Sequence, residues 1–244
     1  MLLKAAINGG RTRAEHPAVP LTNEEIARDS ASAIAAGADV VHAHVRTEDG
    51  GQSIHPDAIG AWVRAVRAVD PAIVIGTTTG LWTVTSHAQR MEFLAAWPAD
   101  ALPDFASVAF CEEGAAEAAD LVLERGMILE SAVWSMADVP ALLAAPSLQR
   151  NVRVLIEPET EDPAEAVAAC REIAAALRDA GVTAPLLYHG YDETVWPVVF
   201  AAIEDGHETR IGFEDGLTLP DGSAPADNAE LIAAVRRAEA SARG

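Results

Sequence analysis

Cysteine is scarce in this 244-residue sequence: Cys111 and Cys170 are the only two, far apart and without CxxC spacing. That argues against a disulfide scaffold and fits a reducing cytoplasm. Basic residues are also few. Seventeen Lys and Arg against 37 Asp and Glu give a formal charge of −20, which argues against nucleic acid or an anionic membrane surface as a partner. An anionic substrate would need a locally positive pocket within this negative field. No segment approaches the roughly 20 apolar residues of a membrane span, and the start, Met1 to Ile7, turns polar at Asn8 and is too short for a signal peptide. A cytoplasmic protein is the expectation. A Walker A pattern is absent, and Gly9-Gly10 after the first apolar run does not belong to a GxGxxG fingerprint, so nucleotide-cofactor readings lose their main support.

Half of the residues are hydrophobic, and the chain is long enough for one large core, so a single domain over 1–244 is expected. Short runs rich in β-branched residues alternate with longer alanine-rich stretches of helical period. Eight strand candidates follow: Leu2 to Asn8, Ala38 to Val45, Ala72 to Thr77, Phe105 to Phe110, Met127 to Ala132, Val152 to Glu157, Ala184 to His189 and Glu208 to Phe213. Between them the helix signals are specific. Thr22 and Glu25 form a capping box before Ile26, Ala33 and Ile34, with Gly37 as the stop. Asp162-Pro163 opens a helix whose apolar face is Val167, Cys170, Ile173, Ala174 and Leu177, closed by Gly181. The last helix, about Ala226 to Ala240, turns Leu231, Ile232 and Val235 inward. Eight βα units without a linker predict an α/β fold, a (β/α)₈ TIM barrel; an open doubly wound sheet is the alternative.

The chemistry-bearing residues sit at strand ends, where barrels place their sites. His42 and His44, spaced i, i+2 at the end of strand two, share one face of an extended chain and can close on one metal ion, with imidazole suited to zinc. Arg46 continues the alternation. On strand eight, Arg210, Gly212 and Glu214 share a face, making Glu214 a candidate third ligand that must project over the barrel mouth, with Gly212 leaving space for it. Asp215 beside Arg210 reads as a carboxylate held ionised, a candidate general base. Thr77-Thr78-Thr79-Gly80 offers hydroxyls and N–H groups to a carboxylate. Arg11 and Arg13 follow strand one as loop charges or anion clamps. His189 and Tyr191 end strand seven within reach of a ligand. Each of these, taken singly, also has an ordinary structural explanation; the pairing at one barrel mouth favours the metal reading.

Several blocks together resemble one family. Ala6-Ile7-Asn8-Gly9, His16 to Ala27, Ala35 to Arg46 followed by Glu48-Asp49-Gly50, Arg210 to Gly216 and Asn228 to Ile232 are similar to the β-keto acid cleavage enzymes. The resemblance implies a zinc-dependent barrel, a homo-oligomer (dimer or tetramer), that exchanges acyl groups between a β-keto acid and acetyl-CoA to give acetoacetate and a new acyl-CoA by Claisen and retro-Claisen steps. It implies His42, His44 and Glu214 as metal ligands, Arg210 and Asp215 as the base dyad, and Thr78 as a substrate-contacting hydroxyl. Thr79 and Gly80 match the substrate-carboxylate loop, and Glu130, near the end of strand five, matches an acidic pocket residue. Arg11 stands where the family's type member has a glutamate that receives the substrate's amino group. A cation there favours an anionic or neutral tail. After strand six, Ile156 to Asp162 is acidic and proline-containing where the family often has a glycine-rich turn.

Two other functions fit an HxH barrel. A zinc hydrolase of the amidohydrolase type would carry HxH on strand one and further histidines on later strands, and a class II aldolase also uses HxH ligation. A non-catalytic metal-dependent ligand-binding protein would hold metal and keto acid without turnover.

Overall fold

In a computed structural model that describes residues 1–47 and 49–243, all eight predicted strands form and close into one parallel barrel, β1 to β8 in chain order. They are β1 (Leu3–Ala6), β2 (Val40–His42), β3 (Ile75–Thr78), β4 (Phe105–Ala109), β5 (Ile128–Val133), β6 (Asn151–Ile156), β7 (Leu186–Tyr188) and β8 (Glu208–Ile211). Glu48, within one of the family-like blocks, lies outside the described residues. Closure pairs Lys4 with Val40 on one side and with Arg210 on the other. The doubly wound alternative is thereby excluded. Most strands are shorter than expected, although single backbone bonds such as Ile7 N–H to His42 O at 2.9 Å and His189 N–H to Ile156 O at 3.0 Å carry the pairing on toward the mouth.

The helices α1 (Asn23–Ala35), α2 (Pro56–Val69), α3 (His87–Ala96), α4 (Ala115–Glu124), α5 (Val139–Ala144), α6 (Pro163–Asp179), α7 (Val195–Asp205) and α8 (Asn228–Ala242) surround the barrel. The capping box of α1 is present: Thr22 Oγ1 accepts from the Glu25 N–H at 3.2 Å, and Glu25 Oε2 accepts from the Thr22 N–H at 3.0 Å. The Thr22 and Leu21 N–H groups that donate to it hold the Glu25 carboxyl down at about 2. Asp162 caps α6 through the Ala164 and Glu165 N–H groups. The expected inward faces are buried, with Ile34 at the margin of that of α1 and Val167 at the margin of that of α6. Among the described residues no helix is long and apolar enough to cross a membrane.

Inside the barrel, side chains alternate in height as well as in face. The lower level is ionic. Lys4 of β1 reaches across to Glu130 of the opposite strand β5 at 2.5 Å, Arg153 of β6 also pairs with Glu130, and Arg153 Nε reaches Glu208 at 2.6 Å. Lys4 and Glu130 are fully buried. Gly76 is required beside this level, since a β-carbon there would lie 2.1 Å from the Phe105 ring. This closed base leaves the mouth at the C-terminal strand ends as the place for chemistry.

Candidate active site

The exit of β2 carries both imidazoles into the mouth with their rings 5.1 Å apart between centroids. Asn8, fully buried just after β1, fixes the second of them by its backbone: Asn8 Oδ1 accepts from the His44 N–H at 2.9 Å, and Asn8 Nδ2 donates to the His44 carbonyl at 2.9 Å. The ring is fixed by Gln52. The indole N–H of Trp82 can only donate, so its 3.1 Å contact identifies the facing atom of Gln52 as the amide oxygen. That same oxygen meets His44 Nδ1, which must therefore carry the proton and leave Nε2 as a free lone pair. His44 Nε2 points at His42 Nε2 across 3.0 Å.

Glu214 arrives from the turn after β8. Its carboxylate lies 3.8 Å from His42 Nε2 and 3.6 Å from His44 Nε2, and the three residues bring ligand atoms within 4.8 Å of one another. Buried Glu214 Oε2 has no hydrogen-bond partner. Burial drives the His42 pKa well below its ordinary value, so the ring is neutral. Burial opposes ionisation of Glu214, yet the Arg210 guanidinium holds its carboxyl at about 2. Two imidazole nitrogens, one carboxylate and an orphaned oxygen in a buried cluster fit a divalent cation.

Glycines make this convergence possible, though in different places from those expected. The space for Glu214 is left by Gly9, at φ +46°, and not by Gly212. Gly212 instead admits the β1 backbone, because a β-carbon on it would lie 1.9 Å from the Ala6 carbonyl oxygen. Gly80 leaves room for the Trp82 indole, 2.2 Å from where its β-carbon would be.

Beside the donors, Arg210 Nε donates to Asp215 Oδ1 at 3.1 Å, and Nη2 donates to the same oxygen at 2.6 Å and also to Glu214. His189 meets Asp215 from the other side at 2.8 Å through Nε2, and its Nδ1 lies 3.4 Å from Glu157. Asp215 is fully buried. Burial opposes its charge, but Arg210 and His189 keep its pKa below the usual carboxylate value. Burial and Arg210 disfavour protonation of His189, but the carboxylates on either side raise its pKa overall. Glu157 is held at about 2 against burial by His189, Arg210 and Lys4. Its second oxygen accepts from the Trp134 indole N–H at 3.0 Å.

A cavity of about 280 Å³ opens onto the donor set and Arg210, while Asp215 and His189 are fully buried and do not line it. His42, His44, Glu214, Arg210, Thr78 and Gly80 line it, while Ala109, Ala132, Trp82, Trp134, Glu157 and Tyr191 complete its far wall and rim. Three residues named as substrate contacts lie elsewhere. Thr79 alternates away from Thr78, and its hydroxyl donates to the Ser107 carbonyl at 2.8 Å. Glu130 lies too deep, in the ionic base of the barrel. Arg11 turns to Glu15 and Asp192 at the outer rim. Conversely, Glu157, Trp134, Asn8 and Gln52 were not singled out from the sequence. The alternation Arg153, Leu155, Glu157 along β6 carried the signal for Glu157; nothing local marked Gln52.

A closed parallel barrel with an arginine-paired aspartate and a two-histidine, one-carboxylate set that could hold a metal ion at its mouth is the architecture of a TIM-barrel enzyme. The chain belongs to the β-keto acid cleavage enzyme family, whose sequence model matches residues 1–243. It is 26% identical over 258 residues to the 3-keto-5-aminohexanoate cleavage enzyme of Fusobacterium nucleatum, covering 97% of this chain and 90% of that protein. A shorter stretch of 80 residues, 32% of this chain and 28% of the relative, is 35% identical to the 3-oxoadipate:acetyl-CoA acetyltransferase of Cupriavidus necator. Among solved structures, a ternary complex of ObcA with a C4-CoA adduct and oxalate superposes with a TM-score of 0.76 at 19% identity, over 93% of this chain. This chain spans 65% of the ObcA chain, and the likeness is one of fold.

Proposed function

We propose that the protein is a zinc-dependent β-keto acid cleavage enzyme that transfers acyl groups between a β-keto acid and acetyl-CoA. The observation that carries this reading is the placement of Asp215, ionised, buried and gripped by Arg210 and His189, next to the His42, His44 and Glu214 donor set. His42, His44 and Glu214 would hold the ion. Zinc, when bound, supplies Lewis-acid charge for an enolate oxygen.

The chain's own groups account for the remaining steps. Thr78, whose Oγ1 accepts from the Gly80 N–H at 3.0 Å, keeps its hydroxyl proton to donate to the substrate carboxylate at the mouth of β3. Asp215 takes a proton from C2, between the carboxylate and the ketone, and the electron pair left on C2 attacks the acetyl thioester carbonyl, expelling coenzyme A thiolate. The thiolate adds to the original ketone carbon. The C2–C3 bond then breaks, its electrons passing to the acetoacetate fragment and the acyl group leaving on coenzyme A. Asp215, now protonated, returns the proton to C2 of acetoacetate. Arg210 and His189 fix the carboxylate's direction through both half-reactions, and the buried setting keeps water away from the exchanged proton.

The test is metal analysis of the purified protein combined with an assay of acetoacetate release from a panel of β-keto acids with acetyl-CoA. Stoichiometric zinc and turnover abolished by His42→Ala or Asp215→Asn are expected. Zinc-loaded protein that converts no member of a broad panel would refute the reading.

A further inference from the structure

The wall that faces away from the metal donors has every charged group already paired. Arg210, the cation lining the cavity, has its charge met by Glu214 and Asp215 through Nε and Nη2. Glu157, the carboxylate of the far wall, faces His189 with one oxygen and accepts from Trp134 Nε1 with the other. Arg11, whose position suggested a tail-reading role, is bound to Glu15 and Asp192 and does not line the cavity. What remains for a substrate tail is small and apolar. Ala109 and Ala132 stand side by side in the β4–β5 register, under the indoles of Trp82 and Trp134, whose centroids are 6.5 Å apart.

From this pairing, and resting on the β-keto acid reading above, we infer that the preferred substrate carries a short, uncharged hydrocarbon tail seated on Ala109, Ala132, Trp82 and Trp134. An ammonium tail would compete with His189 for Glu157, whose other oxygen accepts from Trp134. A carboxylate tail would face Glu157, and the cation lining the cavity, Arg210, is already shared by two carboxylates. Either charge would be desolvated among groups whose charges are already balanced, whereas a hydrocarbon tail gains contact with alanine methyls and indole faces on leaving water. The acceptor acids in the names of the two curated relatives, an amino acid in one and a dicarboxylic acid in the other, would thus both be poor substrates here.

Three six-carbon acids that differ in the tail decide the matter: 3-oxohexanoate, 3-oxoadipate and 5-amino-3-oxohexanoate, each assayed with acetyl-CoA on zinc-loaded protein. The expected kcat/KM order places 3-oxohexanoate above both charged acids by on the order of a hundredfold. Equal or better use of 3-oxoadipate would overturn the inference and return Arg11 as a tail determinant; equal or better use of the amino acid would overturn it in favour of Glu157. Binding of the same acids without acetyl-CoA, read as quenching of tryptophan fluorescence, separates the two levels of the argument. If none is cleaved but the neutral acid binds most tightly, the acyl-transfer reading fails and the tail inference stands; if none binds, the inference fails with it. A filled wall gives the second arm. Ala132→Leu should shift preference from 3-oxohexanoate to 3-oxopentanoate by roughly tenfold, and an unmoved preference would remove Ala132 from the tail site.

Discussion

A β-carbon on Gly9 would lie 2.3 Å from Cγ of Glu214, and Gly9 itself sits at φ +46°. Two residues from opposite ends of the chain therefore share one volume, and the carboxylate reaches the imidazoles only because the other residue has no side chain. Gly9→Ala should cost about 1 kcal/mol in backbone strain and displace Glu214. The expected outcome is a folded protein with metal affinity lowered by roughly ten- to a hundredfold, measured by competition with a zinc chelator. Unchanged affinity would show that Glu214 is not held by this contact.

Asn8 gives a complementary prediction. Its amide closes a two-bond clasp on the His44 backbone and also donates to the Pro20 carbonyl at 3.2 Å. Asn8→Ala leaves these buried groups unpaired, which should destabilise the fold by about 1–3 kcal/mol and loosen the second imidazole. Denaturant unfolding and the chelator competition should both move; a loss of stability with zinc affinity intact would confine Asn8 to a structural role.

The sequence exposed what period two controls. His42 with His44, and Arg210 with Glu214, share a face whatever the barrel's exact geometry, so their convergence at the mouth could be anticipated from spacing. The same alternation contained the fate of Thr79, which must point opposite to Thr78. Height along the barrel axis was not legible, because it depends on the stagger between strands. Glu130 faces inward as expected, yet lies one inward step below Ala132 and two below Trp134, in the ionic base and not in the cavity. Contacts that join distant loops were hidden for another reason. Gln52 reaches His44 through a turn after β2, and Gly9 meets Glu214 across most of the chain, with no local pattern to announce either.

That ionic base is itself testable. Glu130 is the anion shared by Lys4 and Arg153, and both it and Lys4 are fully buried. Burial already lowers the Lys4 pKa, with Glu130 opposing the shift. Glu130→Ala leaves the ammonium without a counter-charge and should destabilise the protein by about 3–5 kcal/mol. Lys4→Met combined with Glu130→Leu removes both charges while Arg153 keeps Glu208, and should recover most of that loss. A double variant no more stable than Glu130→Ala, by denaturant unfolding, would show that packing and not charge pairing governs this level.

The pH dependence of stability should have a contribution from Asp29 on α1. Burial raises its pKa to about 6, against the pull of Asn228, whose amide donates to it at 2.5 Å. Asn228 also accepts from the Phe213 N–H at 2.7 Å and donates to the Ile7 carbonyl at 2.8 Å, tying this helix to the turn that carries Glu214. An aspartate in the unfolded chain titrates near 3.9. The native state thus binds the proton more tightly, so the favourable contribution is full below about 3.9 and is lost as pH rises through about 6. Above that, an ionised Asp29 should weaken the fold by about 3 kcal/mol. Asp29→Asn keeps an acceptor for Asn228 and cannot ionise. It should unfold at higher denaturant than the parent near pH 8, with the difference closing near pH 4; a constant difference across that range would mean that Asp29 is not the titrating group.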